Sequence, residues 1–335
     1  MKLLTILIPT YNRSNKLLRL LNQIDYYLNK DEKYSRIIDV IISDNGSIDN
    51  TKDDVTSFIK FKNNYKYFRQ SENKGFDNNI KLLYDYADSE FVWYFSDDDI
   101  LFEVAFDKII NSLTRKKPDI LLFSFAQPQT NKELTFNFPS SSFDVIKVSE
   151  IIELIALYPK VSIYVLKKIS IPLEDQNYLD TIIGKGFYFL SLSYSIISLS
   201  KKPKMTIISE QLASCDDEFT NFSIPPDIFL YFYETFKHPY VLKMSPELYL
   251  KKKDDSYTNT LGYLFKIKEG KFKVDDIEEY DAYITKFQFN GSILIKEIPL
   301  LFQFFLLKTN GVFFYCKYLK PIYDRIIKPI RKSIF

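Results

Sequence analysis

Residues 92–101 read VWYFSDDDIL: an apolar run delivers three consecutive carboxylates, Asp97, Asp98 and Asp99, then returns to Ile100 and Leu101. Like charges side by side repel and raise one another's pKa, so such a cluster calls for a cation. Neighbouring carboxylates at the end of a buried strand suit a hard divalent ion, Mn²⁺ or Mg²⁺. Such ions take oxygen ligands and keep positions open for water or substrate phosphate. The plain alternative is a solvated turn or a cap, both of which aspartate favours, and Asp99 is placed to cap a helix starting near Leu101.

Three further polar clusters carry chemistry of a related kind. In SDNGSIDNT, a carboxylate and an amide (Asp44, Asn45) can read the base and ribose of a nucleotide, although Gly46, Ser47 and Asp49 are also ordinary turn and cap formers. In PTYNR, Arg13 stands near a helix N-terminus, a favourable place for phosphate. In SENKGFDNN, Lys74 lies beside Gly75, so a cation can approach an anionic ligand closely.

The elements that position these clusters follow from periodicity. LLTILIP, RIIDVIISD, YKYFRQ, EFVWYFS and PDILLFSF read as strands, the first a continuous apolar run typical of burial on both faces. Between them NKLLRLLNQIDYYL, SIDNTKDDVTSFIKF, FDNNIKLLYDYA and ILFEVAFDKIINSL show helical spacing. This alternation predicts an α/β fold, a mostly parallel sheet flanked by helices. Ligands in such sheets bind beyond the carboxyl ends of the strands, where all four polar clusters fall. From about 126 the pattern loosens into a polar hairpin (QPQTNKELTFNF), a capped helix (VSEIIELIALY) and a strand (KVSIYVLKK).

Composition narrows the class. The chain has 335 residues, 46% of them hydrophobic, with a formal charge of +2, which suits a globular protein and argues against a general nucleic-acid binder. The 30 Phe and 25 Tyr exceed what a core needs, so part of that surface is expected to face a partner or a membrane interface. Two cysteines, Cys215 and Cys316, and the one histidine, His238, make no zinc pattern and fit a reducing, cytoplasmic setting. Cys215 reads as a semi-buried thiol and His238 as a surface or loop residue. MKLLTILIPTYN reads as a first strand and not as a signal peptide. The longest apolar run, IPLLFQFFLL, is too short for a bilayer crossing, which takes about 20 residues.

LTILIPTYNR, VIISDNGSIDNT, NKGFDNNI and WYFSDDDIL, in that order and spacing, resemble the nucleotide-sugar domain of family 2 glycosyltransferases of the GT-A fold. Their flavour is that of the abequosyltransferase-like branch, which builds bacterial O-antigen and capsule repeats. The resemblance is strong over residues 3 to about 125 and fades until about 200. It implies a GT-A catalytic domain over 1–215, with a nucleotide-sugar half at 1–125 and an acceptor half at 126–215, followed by a mainly helical C-terminal region over 216–335. Carried over by position, Pro9, Thr10, Tyr11 and Arg13 line the nucleotide pocket. Asp44, with Asn45 and Ser47, meets base or ribose, and Lys74 and Gly75 lie along the nucleotide. The family's acidic signature is Asp-x-Asp-Asp, and its first Asp falls on Ser96. Asp98 then takes the metal-ligating place, and Asp97 is open to ligating the metal or meeting the ribose.

What the resemblance implies for function is inverting transfer of a sugar from a nucleoside diphosphate, with a divalent metal (Mn²⁺ or Mg²⁺), to a growing surface glycan, expected to be polyprenyl-linked. A carboxylate downstream would deprotonate the acceptor hydroxyl. The candidates are Glu174 and Asp175 in IPLEDQNYLD, with Asp180 close behind; the plain reading is a solvated acidic loop after Pro172. A sugar nucleotidyltransferase is the rival enzyme, but IPTYNRSNK lacks the glycine-rich loop expected of one. A non-catalytic scaffold of a glycan assembly complex is the rival of another class. At the C-terminus, six basic residues and one acid follow from Lys317 amid Phe, Tyr and Ile. That stretch suits an anionic membrane surface, which would place the chain peripherally on the inner face of the cell membrane; the alternative is a helix packed on the catalytic domain.

Overall fold

The structure, a computed structural model, describes residues 2–126, 138, 142–184, 187–216 and 232–252. The basic, aromatic C-terminal stretch, Cys316 and nearly all of the hairpin expected near 127–138 lie outside the described residues. The chain forms two compact units, one of Met1–Thr220 with Glu234–Tyr249, the other of Asn221–Tyr233 with Leu250–Phe335. The sheet and the helices that cover it belong to the first unit. That unit extends past the boundary expected at 215, because residues 234–249 return to it.

Its centre is one sheet. β1 (Lys2–Thr10) pairs in parallel with β2 (Ile38–Asp44) and β4 (Ser89–Tyr94), and β2 pairs in parallel with β3 (Tyr65–Arg69), giving the order β3-β2-β1-β4. The register Thr10↔Asp44 and Leu7↔Tyr94 brings the carboxyl ends of β1, β2 and β4 to one edge. Leu4, Leu7, Ile8, Val40 and Ile42 are inaccessible to solvent, as their apolar runs require of strands covered on both faces. Beyond β4 the sheet is mixed. β8 (Tyr164–Lys167) runs antiparallel between β4 and β6 (Ile120–Ala126). β6 is parallel to β9 (Met205–Cys215), and two short strands, β5 (Asp99–Leu101) and β7 (Phe143–Val145), lie antiparallel on β9.

Helices cover the faces. α1 (Ser14–Lys30) buries Leu17, Leu20, Leu21, Ile24 and Leu28, a stripe at three- and four-residue spacing. Each such side chain stabilises the fold by roughly 1.5–3 kcal/mol. α2 (Glu32–Ile37) is a short helix that periodicity did not reveal, started by the Asp31 carboxylate accepting from the Lys33 N–H at 2.9 Å. Then come α3 (Thr51–Ile59), α4 (Phe76–Tyr86), α5 (Ala105–Lys116), α6 (Val148–Leu157), α7 (Leu173–Ile182) and α8 (Tyr188–Leu199). Many of the aromatics are core. Trp93 meets Phe95, Phe106 and Phe123 edge-to-face with centroids 5.0, 6.4 and 5.8 Å apart, all four rings fully buried.

Candidate active site

The three aspartates meet three different surroundings. Phe95 carries the line of β4 one residue further, its N–H donating to Leu7 O, and the chain then turns across the end of β1. Asp97 is turned inward and 3% exposed: Thr10 Oγ1 donates to its Oδ2 at 2.7 Å and Arg13 Nη1 to its Oδ1 at 2.9 Å. Burial pushes its carboxyl up to about 6, against the pull of Arg13. Asp98 faces the cleft with about a third of its side chain exposed, and the same Arg13 Nη1 lies 2.8 Å from its Oδ2. The positive charge that this cluster calls for is therefore already supplied by the chain.

Asp99 belongs to another contact. It does not cap α5, which begins at Ala105 after Val104; instead it lies in β5, buried. The Ser162 hydroxyl donates to it and Lys160 Nζ stands 3.0 Å away, both from the turn before β8. Ser162 Oγ also accepts the Ser96 N–H at 3.1 Å, and its carbonyl accepts from Trp93 Nε1 at 2.8 Å. Ser96, where the family's usual Asp would stand, thus sits in a turn fastened by a residue 66 positions away.

The loop after β2 is held from within. Asp44 is wholly buried: Oδ1 accepts the Ser47 N–H at 2.7 Å, Oδ2 accepts the Tyr67 hydroxyl at 2.6 Å, and Arg69 Nε lies 3.5 Å off. Burial together with that bond to Asp44 raises the Tyr67 phenol far above its ordinary value. Asn45, 4% exposed, donates to Asn73 Oδ1 and Gly75 O and accepts from Gln70 Nε2 and the Lys74 N–H. Ser47 Oγ accepts the Asn12 N–H at 2.8 Å, while Asn12 Oδ1 accepts the Ile48 N–H at 2.8 Å. Among the expected nucleotide residues, Pro9, Thr10, Asp44, Asn45 and Ser47 are therefore buried framing, whereas Tyr11, Lys74 and Gly75 are exposed and Arg13 half-exposed toward the cleft.

The expected bases are not brought there. β8 runs away from the cleft edge, so Lys168 emerges at the opposite edge, where its N–H meets Glu90 O and its Nζ the Tyr84 carbonyl. α7 starts from that edge and climbs beside α4. Asp180 pairs with Lys81, mid-helix, and the Gly184 N–H reaches Asp77 in the first turn of α4. Glu174 and Asp175 occupy the first turn of α7, at the far end from Asp97 and Asp98. The segment is also a helix, not a loop. Asp175 is held above its ordinary value by partial burial and by Glu174 beside it.

His238 is not at the surface either. It is 2% exposed, with Ser195 Oγ 3.0 Å from Nε2 and the Tyr240 N–H donating to Nδ1 at 3.2 Å. Cys215 is a buried free thiol paired across strands with Asp99.

Sequence reasoning missed four residues that shape this site: Lys160, Ser162, Arg19 and Asp216. Arg19 donates to Asp98 O at 3.1 Å and to Asp216 Oδ2 at 2.7 Å, with Lys16 Nζ 3.9 Å from the same Asp216 oxygen. One signal was available: positions 13, 16 and 19 recur at three-residue spacing, so three cations share a face at the start of α1. The oxygens of Asp97 and Asp98 suit a hard divalent cation. Among the described residues no group of three or more His, Cys, Asp or Glu is arranged to hold one. Two carboxylates would leave its other positions to water and to phosphate oxygens.

A sheet in the order β3-β2-β1-β4, with an acidic turn at the end of β4 facing a basic helix start, defines an α/β domain of the GT-A class. Residues 5–165 match the model of glycosyl transferase family 2. Over 103 residues the chain is 38% identical to the abequosyltransferase RfbV of Salmonella typhimurium, an alignment covering 30% of this chain and 29% of that protein. The chain thus spans under a third of the curated relative it matches. The fold matches the crystal structure of S. aureus TarS 1–349 with a TM-score of 0.56 at 15% identity, over 93% of this chain and 82% of that one. The same TarS fragment in complex with UDP-GlcNAc matches with a TM-score of 0.54 at 16% identity, over 93% and 83% of the two chains.

Proposed function

We propose that this chain is a glycosyltransferase that moves a sugar from a nucleoside-diphosphate donor onto a surface-glycan intermediate. One observation carries the reading: within the stretch that matches the family 2 model, the ends of β1, β2 and β4 meet around Asp97, Asp98 and Arg13. Transfer builds negative charge on the departing diphosphate, and a site of this kind must stabilise that charge. A divalent ion held by Asp98 and Asp97 would supply charge neutralisation and orient the diphosphate. The chain's own cations at the cleft, Arg13 and Lys74, supply further positive charge, and Tyr11 offers an exposed ring beside them. The buried amides and carboxylate of the β2 loop keep the nucleotide wall in shape. The acceptor is proposed to be polyprenyl-linked and met at the inner face of the membrane through the basic C-terminal stretch; no helix among the described residues is long and apolar enough to cross a bilayer.

The test is turnover of a panel of UDP-, GDP-, CDP- and dTDP-sugars with and without Mn²⁺. One class of donor is expected to be hydrolysed, and Asp98→Asn is expected to lower that rate by at least 100-fold with a nearly unchanged melting temperature, since Asp98 is partly exposed and its ion pair is with the half-exposed Arg13. Failure to turn over any donor would favour the scaffold reading. Full activity of Asp98→Asn would remove the metal role.

A further inference from the structure

We propose that Arg13 is a resident counter-ion of the aspartate pair, which a divalent cation must displace, so that metal and donor diphosphate enter the site as a pair. One nitrogen, Arg13 Nη1, bridges Asp97 Oδ1 at 2.9 Å and Asp98 Oδ2 at 2.8 Å. An ion that takes the bridging place of Arg13 binds those same two oxygens, and on Asp97 no other is open. Asp97 Oδ2 is engaged by the Thr10 hydroxyl, and the neighbouring Asp99 is spent on Ser162 and Lys160. A Mg²⁺ ion bonds oxygen at about 2.0–2.1 Å, so an ion shared by both carboxylates would occupy the place of Nη1. The two cations exclude each other sterically as well as by charge.

Arg13 is built to leave. Its backbone, at φ −140° and ψ 39°, lies outside the helix as the N-cap residue of α1, so no helical turn fixes its side chain. That side chain is 38% exposed, on the cleft side of Asp97. A displaced guanidinium needs a new anion, and a diphosphate matches its planar donors. This last point, and only this, rests on the glycosyltransferase reading. Without nucleotide, the arginine keeps a half-buried acidic pair neutralised and the metal out.

The experiment is a Mn²⁺ titration of the full chain without nucleotide, followed by the electron paramagnetic resonance of free Mn²⁺ and by the Mn²⁺-dependent melting temperature. Arg13→Gln is expected to bind Mn²⁺ at least ten-fold more tightly than wild type. Arg13→Lys, whose ammonium is a compact charge on a flexible stem, should fall between the two. Adding Asp98→Asn to Arg13→Gln should cancel the gain, which locates the ion. Equal or weaker affinity in Arg13→Gln, or no binding by it, overturns the proposal. If Arg13→Gln does not fold, an Arg13→Lys affinity equal to wild type overturns it instead. A chain that turns over a nucleotide sugar with Mn²⁺ while all variants bind the ion alike refutes the displacement and leaves the function standing. A ten-fold gain with no donor hydrolysed does the reverse.

Discussion

Gly46 stands at φ +80°, and a Cβ on it would lie 2.6 Å from the carbonyl carbon of Glu72 and 2.8 Å from its Cα. Both the left-handed backbone and the approach of the segment after β3 exclude a side chain there. Gly75, the N-cap of α4 at φ +86° and ψ 164°, has open space where its Cβ would go. Its substitution therefore costs backbone strain alone, about 1–3 kcal/mol. Gly46→Ala is expected to lose more, roughly 2–5 kcal/mol from strain and overpacking together, and to loosen the loop that Asp44 and Asn45 hold. Urea unfolding of the two variants side by side checks this; equal losses would mean that Glu72 moves aside at little cost. The glycines and carboxylates were legible in the sequence because their residue types carry their constraints. The partners were not. Arg13 reaches acids 84 and 85 positions away, and Lys160 an acid 61 positions away, so no local pattern announces them.

At the scale of elements, alternation of apolar runs sufficed for β1 to β4, β6 and the helices α1, α3, α4 and α5, but the six-residue α2 left no such trace. It failed where runs shorten. β5 and β7 have three residues each and were not foreseen; β8 was read as a strand, but its antiparallel place between β4 and β6 is an order that no run records. α7 was legible only as an acidic stretch because its apolar side is thin: Leu173 is 72% exposed, and only Leu179 and Ile182 are fully covered. Its direction matters more than its type. A helix entering from the edge opposite the cleft cannot present its first turn to the donor. Glu174→Gln combined with Asp175→Asn is accordingly expected to keep donor turnover within about three-fold of wild type, whereas losing a general base costs typically 10²–10⁴-fold. A loss in that range would show that the acids act at the reacting centre and that the direction deduced for α7 does not hold in the working enzyme.

For the molecule as a whole, the return of residues 234–249 to the first unit adds a buried titratable group between helices that the sequence separates widely. His238 sits against Ser195 of α8, with the rings of Tyr178 from α7 and Tyr194 at 4.9 and 5.9 Å. The Tyr240 N–H points at Nδ1, so the proton of the neutral ring resides on Nε2, and a second proton would face a donor. Burial holds this imidazole down at about 4 from an ordinary 6.5. Above pH 6.5 the ring is neutral in both states and adds no pH dependence. As the pH falls from 6.5 towards 4, the unfolded chain takes up the proton that the folded chain refuses, and stability drops. At pH 5 the loss is about 2 kcal/mol by that linkage. Asp97 works in the opposite sense, because its carboxyl is held up near 6 and the folded chain accepts its proton first. A bare stability profile would therefore mix the two. Unfolding free energies at pH 7.5 and pH 5, compared between wild type and His238→Gln, separate them: the variant should lose less stability on acidification by about 2 kcal/mol. Equal losses would mean that His238 takes up its proton in the folded chain, and that the segment 234–249 opens to water well above the pH at which the unit unfolds.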